Sequence, residues 1–467
     1  MKKVFAVLIT VVLFLLLSVS CSSDGSVDEA FNCTITFNGN GADSEGQAHQ
    51  RVSKGIGIDL KDNTFIKDGF GFLWWNTEAD GSGTDYFNGQ HVCFDEDLTL
   101  YAQWGILISE DTTALTDGNR YTLDRNVEIA ERVTVTGNVI LILPDGYRLT
   151  AQKGISVNEG NSLTIQALGV GTGELTATAA DSNCFDAAIG GDDNCSSGII
   201  TINSGIINAT GNIYGAGIGG GEKGAGTVII NGGTVTATSG IFGAAIGGGD
   251  EGTGSVTINS GMVTANSSQS GAGIGGGYKQ SGTVIINGGT VTATSQIYGA
   301  AIGGGDVGNG VVTISCGTVI ATSAFSGAGI GGGFKGNGTV IINGGTVTAS
   351  CLDCGAGIGV GYTGSGGSVT INGGTVTATN GYFGSGIGGG YVDSGIDVTI
   401  NGGQVFAAGG DCEDYFEIKA VGIGRGGFGA DDGTLTLGEG VALEVSSDNE
   451  NWSDYDGTTR QQYMRTK

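Results

Sequence analysis

An isoleucine returns about every 28 residues through the later two thirds of the chain, and that spacing restricts the possible folds more than any other feature. Ile189, Ile218, Ile246, Ile274, Ile302, Ile330, Ile358, Ile387 and Ile423 occupy the same place in GAGIGGG-like segments, at spacings of 29, 28, 28, 28, 28, 28, 29 and 36. A unit reads roughly TVIINGG, then TVTATS, then GAGIGGG. Its first two segments alternate apolar and small polar residues with period two, which is strand patterning. Val228 and Ile230 point one way, as do Val235 and Ala237, and Val256/Ile258, Val284/Ile286 and Val340/Ile342 repeat the layer. Glycine bounds these segments too closely for a helix to fit between them. Three short strands per unit, repeated without helices, predict a right-handed parallel β-helix of about nine 28-residue coils, so the chain is all-β. Its 95 glycines and single proline suit stacked tight turns; there is no Gly-X-Y period, and apolar content is too high for disorder.

Two finer patterns sit on this repeat. Asn203, Asn231, Asn259, Asn287, Asn343, Asn372 and Asn401 form a column at the turn between the first two strands, broken once by Ser315. Asn tolerates left-handed backbone, and stacked amides bond along a ladder. A second period of 56 residues places Lys223, Lys279 and Lys335 in alternate coils, with Asp250 and Asp306 between them. Neighbouring coils lie ~4.8 Å apart, so the alternation avoids like charges directly opposite each other.

The rest of the chain divides around this region. Residues 1–21 read as a secretory leader, with Lys2 and Lys3, an apolar run from Val4 to Leu17, and small residues before Cys21. LSVSC resembles a bacterial lipobox, which implies lipidation of Cys21 and a cell-surface protein held to the membrane through that anchor alone. Residues 22–32 are a polar tether. Residues 33–104 read as short strands and turns, 105–180 as an N-terminal cap with the first coils, 181–432 as the regular helix, and 433–467 as the C-terminal cap.

Within 33–104, Phe37-Asn38-Gly39, Trp75-Asn76-Thr77, Asp80-Gly81-Ser82-Gly83-Thr84 and the closing Leu98-Thr99-Leu100-Tyr101-Ala102-Gln103-Trp104 resemble the Listeria–Bacteroides repeat, the internalin-type B repeat. The resemblance implies a small β-grasp-like spacer or adhesive module. Trp74, where that family has Gly, and the His91/Cys93 pair depart from it. The GTVTINGG-type coils resemble bacterial surface β-helix proteins, including carbohydrate-binding relatives of polysaccharide lyases.

The formal charge of −27 argues against nucleic acid and anionic lipid as partners. GAGIGG matches a dinucleotide fingerprint literally, but it recurs in every coil and opens no helix. No cofactor is required. Ca²⁺ is the ion that two acidic loops would suit: Asp181, Asp186, Asp192 and Asp193 in one, Asp411, Glu413 and Asp414 in the other. Cys33 with Cys93, Cys184 with Cys195, and Cys351 with Cys354 are disulfide candidates in an exported chain. His49 and His91 read as surface residues.

Aromatics fall in two stripes: Tyr278, Phe334, Tyr362 and Tyr391 after the GGG, and Tyr214, Phe242, Tyr298 and Phe383 before the GA. The first is the candidate carbohydrate-binding row, since sugars stack on flat apolar faces; covering the core edge is its bland alternative. Outward Thr234, Thr236 and Thr238, with Thr290, Thr292 and Thr294, make a flat array that resembles ice-binding faces but is interrupted by Met262 and Ile320. No coil carries the paired carboxylates of a glycosidase or a base with a charge-neutralising partner. The expectation is a non-catalytic surface adhesin or carbohydrate-binding protein, whose partner is a polysaccharide or the surface of a host or neighbouring cell. A ligand-free structural stalk and a polysaccharide-degrading lyase or hydrolase are the alternatives.

Overall fold

The computed structural model describes residues 32–179, 185–393, 395–411 and 419–467. Cys21, the leader, Asp181, Cys184, Cys412, Glu413 and Asp414 lie outside them. No helix occurs among the described residues.

Seven strands begin the described chain: β1 (Asn32–Asn38), β2 (His49–Ser53), β3 (Ile58–Asp59), β4 (Phe70–Asn76), β5 (Asp85–Tyr86), β6 (His91–Val92) and β7 (Leu98–Leu107). β1 runs antiparallel to β2 and parallel to the start of β7, while β5 is antiparallel to β4 and β6 to β3. The module closes around Ile35, Phe37, Trp75 and Leu100, with the Phe37 and Trp75 rings 4.7 Å apart. Its WNT and DGSGT motifs meet in one turn. The buried Asn76 accepts from the Glu78 and Gly83 amides at 2.7 and 3.0 Å and donates to Asp85 at 2.6 Å. The expected Cys33–Cys93 bridge is not formed: Cys33 on β1 is buried, Cys93 is exposed, and both are free thiols.

The repeats build three parallel sheets. A regular coil contributes one strand to each, as in Gly226–Ile230, Thr234–Ser239 and Ile246–Gly247. The pairing is in register from coil to coil, so Val228 lies beside Val256 and Ile246 beside Ile274. The third sheet has twelve strands, three of which (at Ala114, Val133 and Ile155) precede the nine anchored by isoleucine. Residues 105–180 therefore already contain coils. Inward layers such as Val228, Ile230, Val235, Ala237 and Ile246 are buried, as their spacing predicts.

The asparagine column forms a ladder. Asn287 donates to Asn259 at 2.8 Å, Asn259 to Asn231 at 2.7 Å, and Asn231 to Asn203 at 2.8 Å; a second run goes from Asn401 through Asn372 to Asn343. Ser315 separates the two runs. The charge alternation works differently from the simple expectation. Lys279 pairs at 3.2 Å with Glu251 of the preceding coil, whereas Lys223 pairs with its own neighbour Glu222 at 3.3 Å.

Lys223, Glu251, Lys279 and Val307 all hold left-handed backbone at this turn, with φ of 57°, 52°, 60° and 65°. For a β-branched residue that conformation is strained. Val307 is 44% exposed, so little burial is lost if it is replaced. Val307→Asn is expected to stabilise the protein by about 1 kcal/mol, because Asn tolerates this region. A urea midpoint that falls or stays put would show that the neighbouring coils, not Val307, carry the strain.

At the far end, Tyr463–Thr466 adds antiparallel to the second-sheet strand Gln404–Ala408, burying Met464, and Leu443–Ser446 pairs beyond it. Arg460 donates to the Gly433 carbonyl at 2.8 Å and to Ile423 at 3.3 Å, satisfying acceptors at the end of the last coil.

Candidate functional site: an aromatic corner

In each coil one position lies four residues before the anchor isoleucine and another four residues after it. The amide of the later position bonds to the carbonyl of the earlier position one coil back: Tyr278 to Phe242, Phe334 to Tyr298, Tyr362 to Ser326 and Tyr391 to Cys354, all at 2.8 Å. The two stripes of the sequence are therefore interleaved on one corner.

They divide into two rows. Phe185, Tyr214, Phe242 and Tyr278 follow one another at ring separations of 4.8, 5.6 and 5.4 Å. Tyr298, Phe334, Tyr362 and Tyr391 follow at 5.7, 5.4 and 5.4 Å, and Phe383 and Phe428 pack on Tyr391 at 4.4 and 5.0 Å. Between the rows the two positions hold Ser270 and Asp306, whose backbones bond at 2.7 Å. Sequence spacing alone joined Tyr278 to Phe334, Tyr362 and Tyr391; the structure places it in the other row.

The longer row is the more regular. Phe334 and Tyr362 stack at 7° and Tyr362 and Tyr391 at 17°. All three rings are half-buried, and exposed Tyr298 and Phe428 flank them. Where the earlier position is a small buried residue (Ser326 or Cys354), the tyrosine of the next coil has room to lie over it. Lys279 sits 4.5 Å from the Tyr278 ring and Lys335 5.2 Å from Phe334, cation–π contacts at exposed sites.

Carboxyls beside this corner are protonated easily. Burial pushes Asp393 up to about 7, and one of its oxygens is buried without a hydrogen-bond partner. Asp250 is raised to about 6, by burial first and then by Glu251 and Glu222. Asp306 is also raised by burial, against the opposing charges of Lys335 and Lys279.

The Cys351–Cys354 pair is likewise not a disulfide. Both are buried free thiols, Cys351 donating to the Phe325 carbonyl and Cys354 to Asp353, each at 3.3 Å. Burial pushes Cys351 up to about 12 and Cys354 higher still, so both rest as neutral thiols at ordinary pH. Cys195 is a free thiol as well.

The first acidic loop is organised around an arginine. Arg132 pairs with Asp192 at 2.7 Å and with Asp186 at 3.7 Å, and donates to the Ala187 and Lys153 carbonyls. The other Asp192 oxygen accepts from Ser156 and Asn158 at 2.7 Å. Burial raises the Asp192 pKa, but these donors outweigh it and hold the carboxyl below its ordinary value. Asp193 accepts from Asn194 at 2.6 Å, and its amide bonds to Asp186. Among the described residues a guanidinium and hydrogen-bond donors already engage the Asp192 carboxylate, and no described cluster of three His, Cys, Asp or Glu side chains could hold a metal. His91 pairs with Asp59 at 2.7 Å and His49 approaches Thr36 at 3.3 Å, both at the surface.

Reading the sequence for anchors missed one feature. Phe325, Leu352 and Tyr382, exposed by 46, 52 and 49%, stand in the loops between second and third sheets of three successive coils, an apolar ridge one position out of line at Leu352. An apolar residue on the surface of three neighbouring loops was the available signal.

Stacked in-register strands with two aromatic rows on one corner define a parallel β-solenoid of the surface-repeat kind. Residues 34–103 match the Listeria-Bacteroides repeat domain, and eight segments from 200–222 to 398–424 match the Beta helix repeat. The chain thus carries a Listeria–Bacteroides repeat domain at its N-terminal side and a series of Beta helix repeats in its parallel β-solenoid. It is similar to a putative Gly-rich membrane protein of Evansella cellulosilytica, 42% identical over 76 residues. That match covers 15% of this chain and only 9% of the relative. No solved structure matches the chain.

Proposed function

We propose that this is a lipid-anchored cell-surface protein whose β-helix binds polysaccharide without turning it over. The leader and Cys21 support export and anchoring, in keeping with the repeat module and with a relative named as a membrane protein. The observation that carries the binding reading is the half-exposed row of Phe334, Tyr362 and Tyr391, flanked by Tyr298 and Phe428, on a scaffold too rigid to lose much entropy on binding. Near-identical coils give no coil a specialised catalytic cleft. The stacking itself favours the second reading, a stalk whose rings only seal the corner.

A glycan array probed with the mature chain separates these readings. Saturable retention is expected, unaffected by chelation of Ca²⁺. Tyr362→Ala with Tyr391→Ala should weaken it at least about tenfold while the protein still melts cooperatively. Failure to retain any glycan would leave the stalk.

A further inference from the structure

The second sheet presents a face unlike the rest of this acidic protein. Eight consecutive strands, from Ile206–Thr210 to Gln404–Ala408, contain no Asp, Glu, Lys or Arg, although the chain has 46 acidic and 19 basic residues. Charges of these coils gather instead in the turns, at Glu222, Lys223, Asp250, Glu251 and Lys279. Every strand is parallel and in register, so outward side chains form straight columns: Thr292 lies beside Ile320, Ile320 beside Thr348, and Thr348 beside Thr377. The columns repeat at ~4.8 Å across strands, and alternate residues stand ~6.8 Å apart along them. In three successive coils this face runs directly, within a few residues, into the exposed ridge of Phe325, Leu352 and Tyr382.

We infer that this threonine face and its ridge form a planar docking surface for a neutral, extended polysaccharide lying along the stacked coils. The inference rests on the glycan-binding reading and names its ligand class and a second contact surface. Threonine offers a methyl and a hydroxyl at each lattice point, matching a sugar chain whose faces alternate C–H and O–H groups. The ridge supplies apolar and aromatic area against which sugar C–H groups pack. A polyanion finds no cation on these eight strands, Arg465 standing on the cap strand at their end. A protein partner would want a pocket with a central Trp or Arg anchor; the pocket of about 280 Å³ beside Arg465 lies at the C-terminal edge of the sheet, away from the threonine columns of the middle coils. A neutral polymer loses nothing by meeting an uncharged face on a chain of net charge −27.

The test uses the full mature chain with microcrystalline cellulose and chitin as insoluble neutral probes, beside the soluble glycan array. Thr290→Lys with Thr346→Lys puts two charges on exposed positions of the second sheet, two coils apart so that they do not face each other. Thr283→Lys with Thr339→Lys does the same on exposed positions of the first sheet and serves as the control. Each variant should melt like the parent. Retention on the insoluble probes is expected to fall about tenfold or more in the second-sheet variant only, since docking would bury unpaired charge. Equal retention by parent and second-sheet variant would overturn the inference while leaving soluble-glycan binding by the aromatic row intact. Equal loss in both variants would overturn it as a generic charge effect. Loss of soluble and insoluble binding alike in the unmodified chain would instead remove the glycan reading itself. Shaping of ice crystals without polysaccharide retention would overturn the inference in favour of an ice-facing lattice.

Discussion

Gly303→Ala is expected to destabilise the solenoid by more than about 4 kcal/mol, or to prevent the surrounding coils from forming at all. Gly303 follows an anchor isoleucine and has φ of 135°, a region L side chains rarely adopt. A β-carbon there would stand 2.0 Å from the Gly331 carbonyl oxygen of the next coil. Neither partner has room to yield, because Ile302-Gly303 and Ile330-Gly331 are paired in register within a continuous sheet. Gly118 provides the comparison. It also has positive φ, at 72°, but nothing lies within 4 Å of the added carbon, so Gly118→Ala should cost only about 1 kcal/mol. Urea melts of the two variants decide the matter, and hydrogen exchange should place the loss in coils adjoining Gly303, as nearest-neighbour stacking requires. If Gly303→Ala melted no lower than Gly118→Ala, close backbone approach would not be what fixes glycine at this column.

Stability should also rise as the pH is lowered from 8 to 5, opposite to the behaviour of carboxylates held in ion pairs. The folded pKa values of Asp393, about 7, and Asp250, about 6, lie above the ordinary 3.8. Such a group contributes stability fully below its unfolded pKa and loses that contribution as pH rises through the folded one. The window is therefore between about pH 4 and pH 7.5. Full shifts would be worth about 3–4 kcal/mol each at 1.36 kcal/mol per unit; solvent screening of these half-buried groups reduces the expected gain to roughly 1–2 kcal/mol each. Asp192 and Asp145, held low by their hydrogen bonds despite desolvation, lose stability only below the usual carboxylate range and leave the window clear. Melting temperature against pH should show the rise in the parent. Asp393→Asn should flatten the upper part of the curve and melt higher than the parent at pH 8. A parent curve level from pH 5 to 8 would mean that water reaches these carboxyls.

The candidate site was partly legible before any coordinates. Periodicity identified Tyr278, Phe334, Tyr362 and Tyr391 as surface aromatics of one column, and all four are half-buried at one corner. It joined Tyr278 to the wrong neighbours because contact across coils is made between the position after one isoleucine and the position before the preceding one. No spacing within a single coil contains that offset. The pairing of Arg132 with Asp192 is not legible from the acidic loop itself, because the arginine lies 60 residues upstream.

What the sequence alone determined is whatever repeats: the coil length, the inward layer of Val, Ile and Ala, the asparagine ladder with its break at Ser315, and the glycine after each anchor isoleucine. A repeat is selected by the same local geometry many times over, so its pattern records that geometry. The tertiary structure alone decided the unique contacts: which rings stack, that Arg132 neutralises Asp192, that Cys33 and Cys93 face different surroundings, and that Arg460 closes the last coil. These depend on residues brought together once, by the winding of the chain, and a single meeting leaves no periodic trace in the sequence.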